Sequence, residues 1–368
     1  MQRQTRKKFF YLLFAAFIVL APVIIAYSLG YTINFSTWSL EQRGGIFIKS
    51  KIARISIFLN NEFQKETSLF SGGALLTEIQ SGTHLLRLEK ENYRPWSKTV
   101  AVEPAAVTEI RNVILIPSPI LTATATRDEI ATLAATTSAS SRKLRLDKEK
   151  NLVEDHMLNN RATATILAKQ VNSFADLSGA IFFITEPGFA AKLTETGTIE
   201  TLGRPGFFIS PKIRAQFFIS PRGELAILDA AGGLFILEEG NNELKPLSGS
   251  IKTISFDAEG EKLLLKKEQS IEIIWLQDNE YQPFQKRGTT EQIIALQEPI
   301  LEAKWYHEDD THIIIRTKDG IYLTEIDGRG GKNTAELVSY KTDGLLTSPD
   351  APNTIYFRKE KTWYRIEL

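Results

Sequence analysis

The residues best equipped for chemistry are few. His307-Glu308-Asp309-Asp310-Thr311-His312 is the densest run of potential metal ligands or proton carriers. His307 and His312 are an odd number of positions apart, so a straight strand would send them to opposite faces. Asp309 and Asp310 fit a turn, where Asp is favoured because its side chain bonds the local backbone. A turn is therefore the expected state, and no metal site is assigned. Gly328-Arg329-Gly330-Gly331-Lys332-Asn333-Thr334 resembles a phosphate loop in composition only. It lacks the Gly-x4-Gly-Lys-Ser/Thr spacing and the helix that should follow, and is read as a hairpin loop. No Gly-x-Ser-x-Gly nucleophile elbow occurs. The chain has no cysteine and only 4 histidines, so thiolate metal sites and disulfides are excluded. No catalytic, cofactor-binding or metal-ligating residue is assigned, and no cofactor is expected. Scattered Asp and Glu leave one enzymatic alternative, a glycan- or peptide-directed envelope hydrolase with acidic residues converging in a central channel.

The elements that would position such residues begin at a membrane. Arg3, Arg6, Lys7 and Lys8 precede an apolar run from Phe9 to Leu29, and no charge follows until Glu41. The run matches a hydrocarbon core about 30 Å thick when helical. A cleaved signal peptide is the rival, with Ala26 and Ser28 as small residues before a cut. The length of the run favours an uncleaved anchor. Positive residues stay on the cytoplasmic side, so residues 1–8 are expected to be a cytoplasmic tail and 9–29 a single-pass helix. The bulk of the chain is then extracytoplasmic. Residues 30–45 form a juxtamembrane connector; Tyr27 just before it, with Tyr31 and Trp38 inside it, are either headgroup-level aromatics or ordinary loop residues.

Lys plus Arg is 44 and Asp plus Glu is 44 in 368 residues. This balance excludes a dedicated nucleic-acid binder. A hydrophobic content of 43% supports sizeable cores. Beyond residue 46 the pattern turns to a period of two. Ala53, Ile55, Ile57 and Leu59 alternate with Arg54, Ser56 and Phe58, and Asn60-Asn61 makes a turn. His84, Leu86 and Leu88 share one face of the next strand. Pro95 opens a further strand in which Trp96, Val100 and Val102 supply an apolar face. Asn60-Asn61, Gly82-Thr83-His84-Leu85-Leu86-Arg87-Leu88, and Tyr93 followed by Trp96 and Val100 resemble the PEGA domain, a small β-sandwich of surface-associated bacterial and archaeal proteins. The tetrapeptide that names the family is absent, and Asn92 stands where the family usually has Gly. The resemblance implies a β-sandwich over 46–117. At its corner Tyr93 and Trp96 close the small core or, alternatively, Tyr93, Arg94 and Trp96 form a carbohydrate-stacking or protein-docking patch.

Residues 118–143 are rich in Ala, Thr and Ser and are expected to be a linker, with a short helix capped by Thr126 as the alternative. Residues 144–368 carry a weak repeat. Units starting at Ala180, Gln216, Thr253, Ala303 and Gly344 each read strand, polar turn, strand, turn, strand, at a spacing suited to propeller blades. Ser220-Pro221-Arg222-Gly223 resembles the turn of Tol-type and Trp-Asp-repeat propellers. Asp257-Ala258-Glu259-Gly260, Glu308-Asp309-Asp310-Thr311 and Ser348-Pro349-Asp350 are degraded versions. A degenerate blade over 144–175 would enlarge the ring, and ring closure requires the last strand to pair near the start of the repeats. A second β-sandwich with long hairpins is the alternative. The expected class is thus mainly β: an N-terminal transmembrane helix, a small sandwich and a β-propeller. The expected function is non-catalytic binding or scaffolding at a prokaryotic cell envelope, with a glycan or another envelope protein as partner.

Overall fold

The computed structural model describes residues 3–28, 31–34, 39–135, 142–158, 161–177, 179–194, 196–202, 215–238 and 243–368. Helix α1 (Arg3–Ser28) contains Pro22. Its window Phe9–Ala26 is long and apolar enough to cross a membrane, and packs into no protein core. The side chains of Tyr27 and Trp38 lie outside the described residues.

The sandwich begins earlier than expected. β1 (Tyr31–Asn34) and β2 (Ser39–Ser50) already pair within the predicted connector. β2 also pairs antiparallel with β5 (Gly73–Gln80) and parallel with β8 (Val107–Val113). The second sheet runs β4 (Glu62–Glu66), β3 (Ser56–Leu59), β6 (Gly82–Glu89), β7 (Trp96–Val102). Between the sheets lie Ile46, Ile48, Ile57, Leu86, Leu88, Trp96 and Val100. The polar residues that carry the resemblance are structural. Asn60 and Asn61 take positive φ, as a tight hairpin demands and as Asn tolerates. The Asn60 side chain accepts from Leu85 N at 2.9 Å and meets His84 Nδ1 at 3.0 Å. His84 Nε2 lies 2.7 Å from Gln80 O. Asn92 has φ +64°, the left-handed conformation for which Gly would otherwise serve.

Among the described residues, the rest of the chain forms six small antiparallel sheets in sequence order, blades 1 to 6 over 144–168, 171–202, 215–248, 253–295, 302–338 and 344–367. Apolar clusters join blade 1 to 2, 2 to 3, 3 to 4, 4 to 5 and 5 to 6. A meander with two apolar faces needs a neighbour on each side, and radial packing supplies both. Phe217, Leu225, Ile227, Ile254, Leu263, Leu265, Ile313 and Ile315 are buried as the repeat predicts, while Ile219 and Phe256 are half-buried. The second strands of blades 4 and 5, Lys262–Lys266 and His312–Arg316, are buried along their whole length. Period-two alternation disappears there because both faces are covered.

The last strand, Thr362–Glu367, pairs with β9 (Thr122–Thr124), which becomes the fourth strand of blade 6. β9 lies inside the segment expected to be a linker. So does helix α2 (Arg127–Ala135), which starts with a reciprocal capping box: Glu129 N donates to Thr126 Oγ1 at 3.2 Å, and Thr126 N to Glu129 Oε2 at 2.6 Å. Glu129 also holds Arg365 of the last strand.

Candidate binding site between the sandwich and the propeller

The turns between the first and second strands of successive blades are linked to one another. Ser220 Oγ accepts from Arg222 N and Glu224 N at 3.2 and 3.0 Å. Arg222 reaches to Glu259 O at 2.8 Å and Glu261 at 2.7 Å. Ala258 N then donates to Asp310 Oδ2 at 2.8 Å. The run His307–His312 belongs to this chain of turns. His312 Nδ1 lies 2.7 Å from Asp309 Oδ2, whereas His307 Nδ1 lies 3.4 Å from Asp310 Oδ1. The first is a hydrogen bond, whereas His307 Nδ1 and Asp310 Oδ1 are buried without a hydrogen-bond partner among the described residues. Among the described residues no three His, Asp or Glu side chains converge as a metal would require.

The sandwich sits on these turns, held by a segment shared between two cores. Val113 and Leu115 face the sandwich core, while Ile114 and Ile116 pack with Tyr306, Leu345 and Phe357 of the propeller. One extended stretch of four residues therefore serves both modules through its alternate faces. Burial pushes the Tyr306 hydroxyl well above the usual tyrosine range. The aromatic corner flanks this joint. Tyr93 bridges Pro117, and Arg94 N and Ser118 N bond Ile116 O and Asn92 O at 2.8 Å each.

Lys98 lies at the centre of the contact. It occupies an inward position of β7, in phase with Trp96, Val100 and Val102, and its side chain is 2% exposed. Its Nζ donates to Glu325 Oε1 at 2.6 Å and Asp327 O at 2.8 Å. Such a charge is tolerable only when paired and hydrogen-bonded. The loop 326–333 and Gln282 supply further contacts. Arg329 donates to Asp327 Oδ2, Gln282 Oε1 and Glu109 O, each at 2.7 Å. Gln282 accepts from Glu109 N at 3.0 Å and donates to Val107 O at 2.9 Å. A side-chain amide thereby fills the hydrogen-bonding places that a neighbouring strand would take along the edge strand β8. Burial alone would raise the Asp327 carboxyl. The bonds from Arg329 and the charge of Lys98 outweigh it and hold the group below the usual carboxylate range.

Gly330 marks the closest approach. Its φ is +65°, and an added Cβ would lie 1.7 Å from Thr99 O on β7. Gly331, at φ +101°, has open space around the same position. Gly330→Ala should therefore expel the loop from β7, while Gly331→Ala should bring only the left-handed backbone cost of about 1–2 kcal/mol. Limited proteolysis at Arg329 and Lys332 checks this: the first variant is cut faster than the second. Equal cutting would mean that the loop does not dock.

Between the docked modules lies a cavity of about 260 Å³, lined on one side by Trp96, Lys98 and Arg111 and on the other by Trp275, Tyr281, His312 and Glu325. The three residues of the predicted corner patch do not share one exposed face. Trp96 is 8% exposed and belongs to the sandwich core. Tyr93 packs partly against that core. Arg94 is exposed and donates to Glu336 O of blade 5 at 2.7 Å. The loop 328–334 is a hairpin connection, as predicted, and it also docks on β7, a strand remote from it in sequence.

Comparison with known families agrees with the local geometry of β5 to β8. Residues 74–114 match the PEGA domain. The match takes in Gly82–Leu88, Tyr93, Trp96 and Val100, whereas the Asn60-Asn61 turn lies outside it. The PEGA sandwich is followed by propeller blades. Similar solved structures include YCF48 from Cyanidioschyzon merolae, at 10% identity and TM-score 0.40, covering 77% of this chain and 91% of that one. The β-propeller domain of Cps50 (Swd1) from Myceliophteria thermophila is 10% identical, with TM-score 0.33 and coverages of 63% and 98%. The extracellular domain of a hybrid two-component system from B. thetaiotaomicron is 13% identical, with TM-score 0.36, and the match spans 60% of this chain but a third of that one, 33%. At these scores the propeller assignment rests on the sheets themselves. No curated protein sequence matches the chain.

Proposed function

We propose that this chain is a membrane-anchored, extracytoplasmic binding or scaffolding protein of a prokaryotic cell envelope, without catalytic activity. The observation that carries this reading is the fusion of the PEGA sandwich to the propeller through residues 113–116, reinforced by the buried Lys98–Glu325 pair. A rigid two-module block on an apolar helix suits a role in holding a partner at a fixed place relative to the membrane. The basic residues before Phe9 support a cytoplasmic N-terminus and an outward block. A hydrolase in the propeller channel would need convergent carboxylates. The first strands of blades 2 to 6 carry two, Asp176 and Glu302. Glu302 is held by Arg316 at 2.5 Å and takes Leu345 N at 3.3 Å, which supports the non-catalytic reading.

The test has two arms. Protease added to intact protoplasts should digest the block, and full protection would overturn the orientation. The soluble fragment 31–368 should capture a glycan or protein from solubilised envelope material, and failure to enrich either would sink the binding reading. The fragment has to begin at residue 31, because a start at 46 cuts β2 away from its pairing with β1 and with Gln80.

A further inference from the structure

We infer that the cavity between the PEGA sandwich and blades 4 and 5 is a binding site for one uncharged sugar unit of an envelope glycan. This inference rests on the binding function proposed above and names its ligand class. Clefts between modules are preferred places for small-ligand sites, and this one has a buried floor and an open rim. Trp96, Lys98, Trp275 and His312 on the floor are all under a tenth exposed, while Tyr281 on the rim is 63% exposed.

Charge decides the ligand class. Each lining cation already has its anion: Lys98 has Glu325 at 2.6 Å, Lys262 has Asp257 at 2.6 Å, and Arg111 has Glu109 at 2.7 Å. The lining anions are matched as well, Glu261 by Arg222 and Asp327 by Arg329, both at 2.7 Å. A phosphate or an acidic sugar would meet no spare positive charge, and entering would mean breaking a buried pair. An extended peptide is equally poorly served. The β8 backbone at Val107 and Glu109, the natural edge for an added strand, is already bonded by Gln282 and Arg329. What remains is recognition by side chains. The indoles of Trp96 and Trp275 with Ile110 and Ile326 offer apolar surface to the C–H face of a ring. His312 uses Nδ1 on Asp309, which leaves Nε2 for a hydrogen bond with a hydroxyl.

The experiment uses fragment 31–368 titrated with uncharged N-acetylglucosamine, glucose and mannose oligomers, followed by tryptophan fluorescence and calorimetry at low and high salt. Saturable binding that is indifferent to salt is expected for one of these series. Tyr281→Ala and His312→Gln should each weaken it by about tenfold, roughly the loss of one good contact. Tyr281 is exposed enough that its variant should fold normally. Phe284→Ala, in the neighbouring groove and 68% exposed, should leave the affinity unchanged. The inference is overturned if no oligomer saturates, if binding falls steeply with salt or is displaced by inorganic phosphate, or if a neutral peptide occupies the cleft instead. An envelope partner captured equally well by Tyr281→Ala would remove the sugar site and leave the binding function standing. Capture of nothing by the unaltered fragment would remove both.

Discussion

Removing residues 361–368 should strongly destabilise the propeller, although only its last strand is lost. That strand carries Ile366, fully buried, and Tyr364, stacked on Phe357 with centroids 5.6 Å apart. Its loss uncovers Ile355 and Phe357 from one side and deprives β9 of its partner. Two ladders disappear together and leave open strand edges, which template aggregation. Removal of one buried aliphatic side chain alone costs about 2–5 kcal/mol, against a total domain stability of about 5–15 kcal/mol. A thermal melt of truncated 31–368 should show a large fall in Tm together with light scattering. A truncated fragment that melts where the intact one does would mean that blade 6 is not closed by the C-terminus.

Trp96→Ala should destabilise the sandwich by about 3–5 kcal/mol, the usual cost of emptying a buried aromatic position. The indole lies between the sheets with Leu88 and Val100 and also forms the floor of the intermodule cavity. Both the core and the docked face therefore lose contacts. Denaturant unfolding of 31–368 measures the change. A loss under about 1 kcal/mol would place the ring in solvent, contrary to its burial, and would revive the corner as a stacking patch.

These two positions mark what the sequence reveals and what it hides. Trp96 was legible because it heads a run of alternating inward residues, and the closing strand because an unpaired edge needs a partner. The identity of that partner was hidden: Thr122-Ala123-Thr124 is three exposed small residues, and nothing in their composition separates a strand from a linker. The intermodule site was hidden for a related reason. Lys98 sits in phase with Trp96, Val100 and Val102, and a lysine on the inward face of an apolar strand signals a buried partner. The partner, Glu325, and the loop at Gly330 come from another module, so no local pattern could supply them. The middle strands of blades 4 and 5 were blurred because burial on both faces erases alternation.

The pairing of β9 with the last strand also constrains how the protein is made. The sandwich strands, β1 to β8, are complete once the first third of the chain has emerged, and they can form a core at once. β9 follows immediately, but its partner strand emerges only after all the intervening blades, so loop-closure entropy should make blade 6 close late. Until that pairing forms, blade 6 carries an unfilled strand edge. The capping box on α2 lets that helix form locally, directly after β9, before the closing strand arrives.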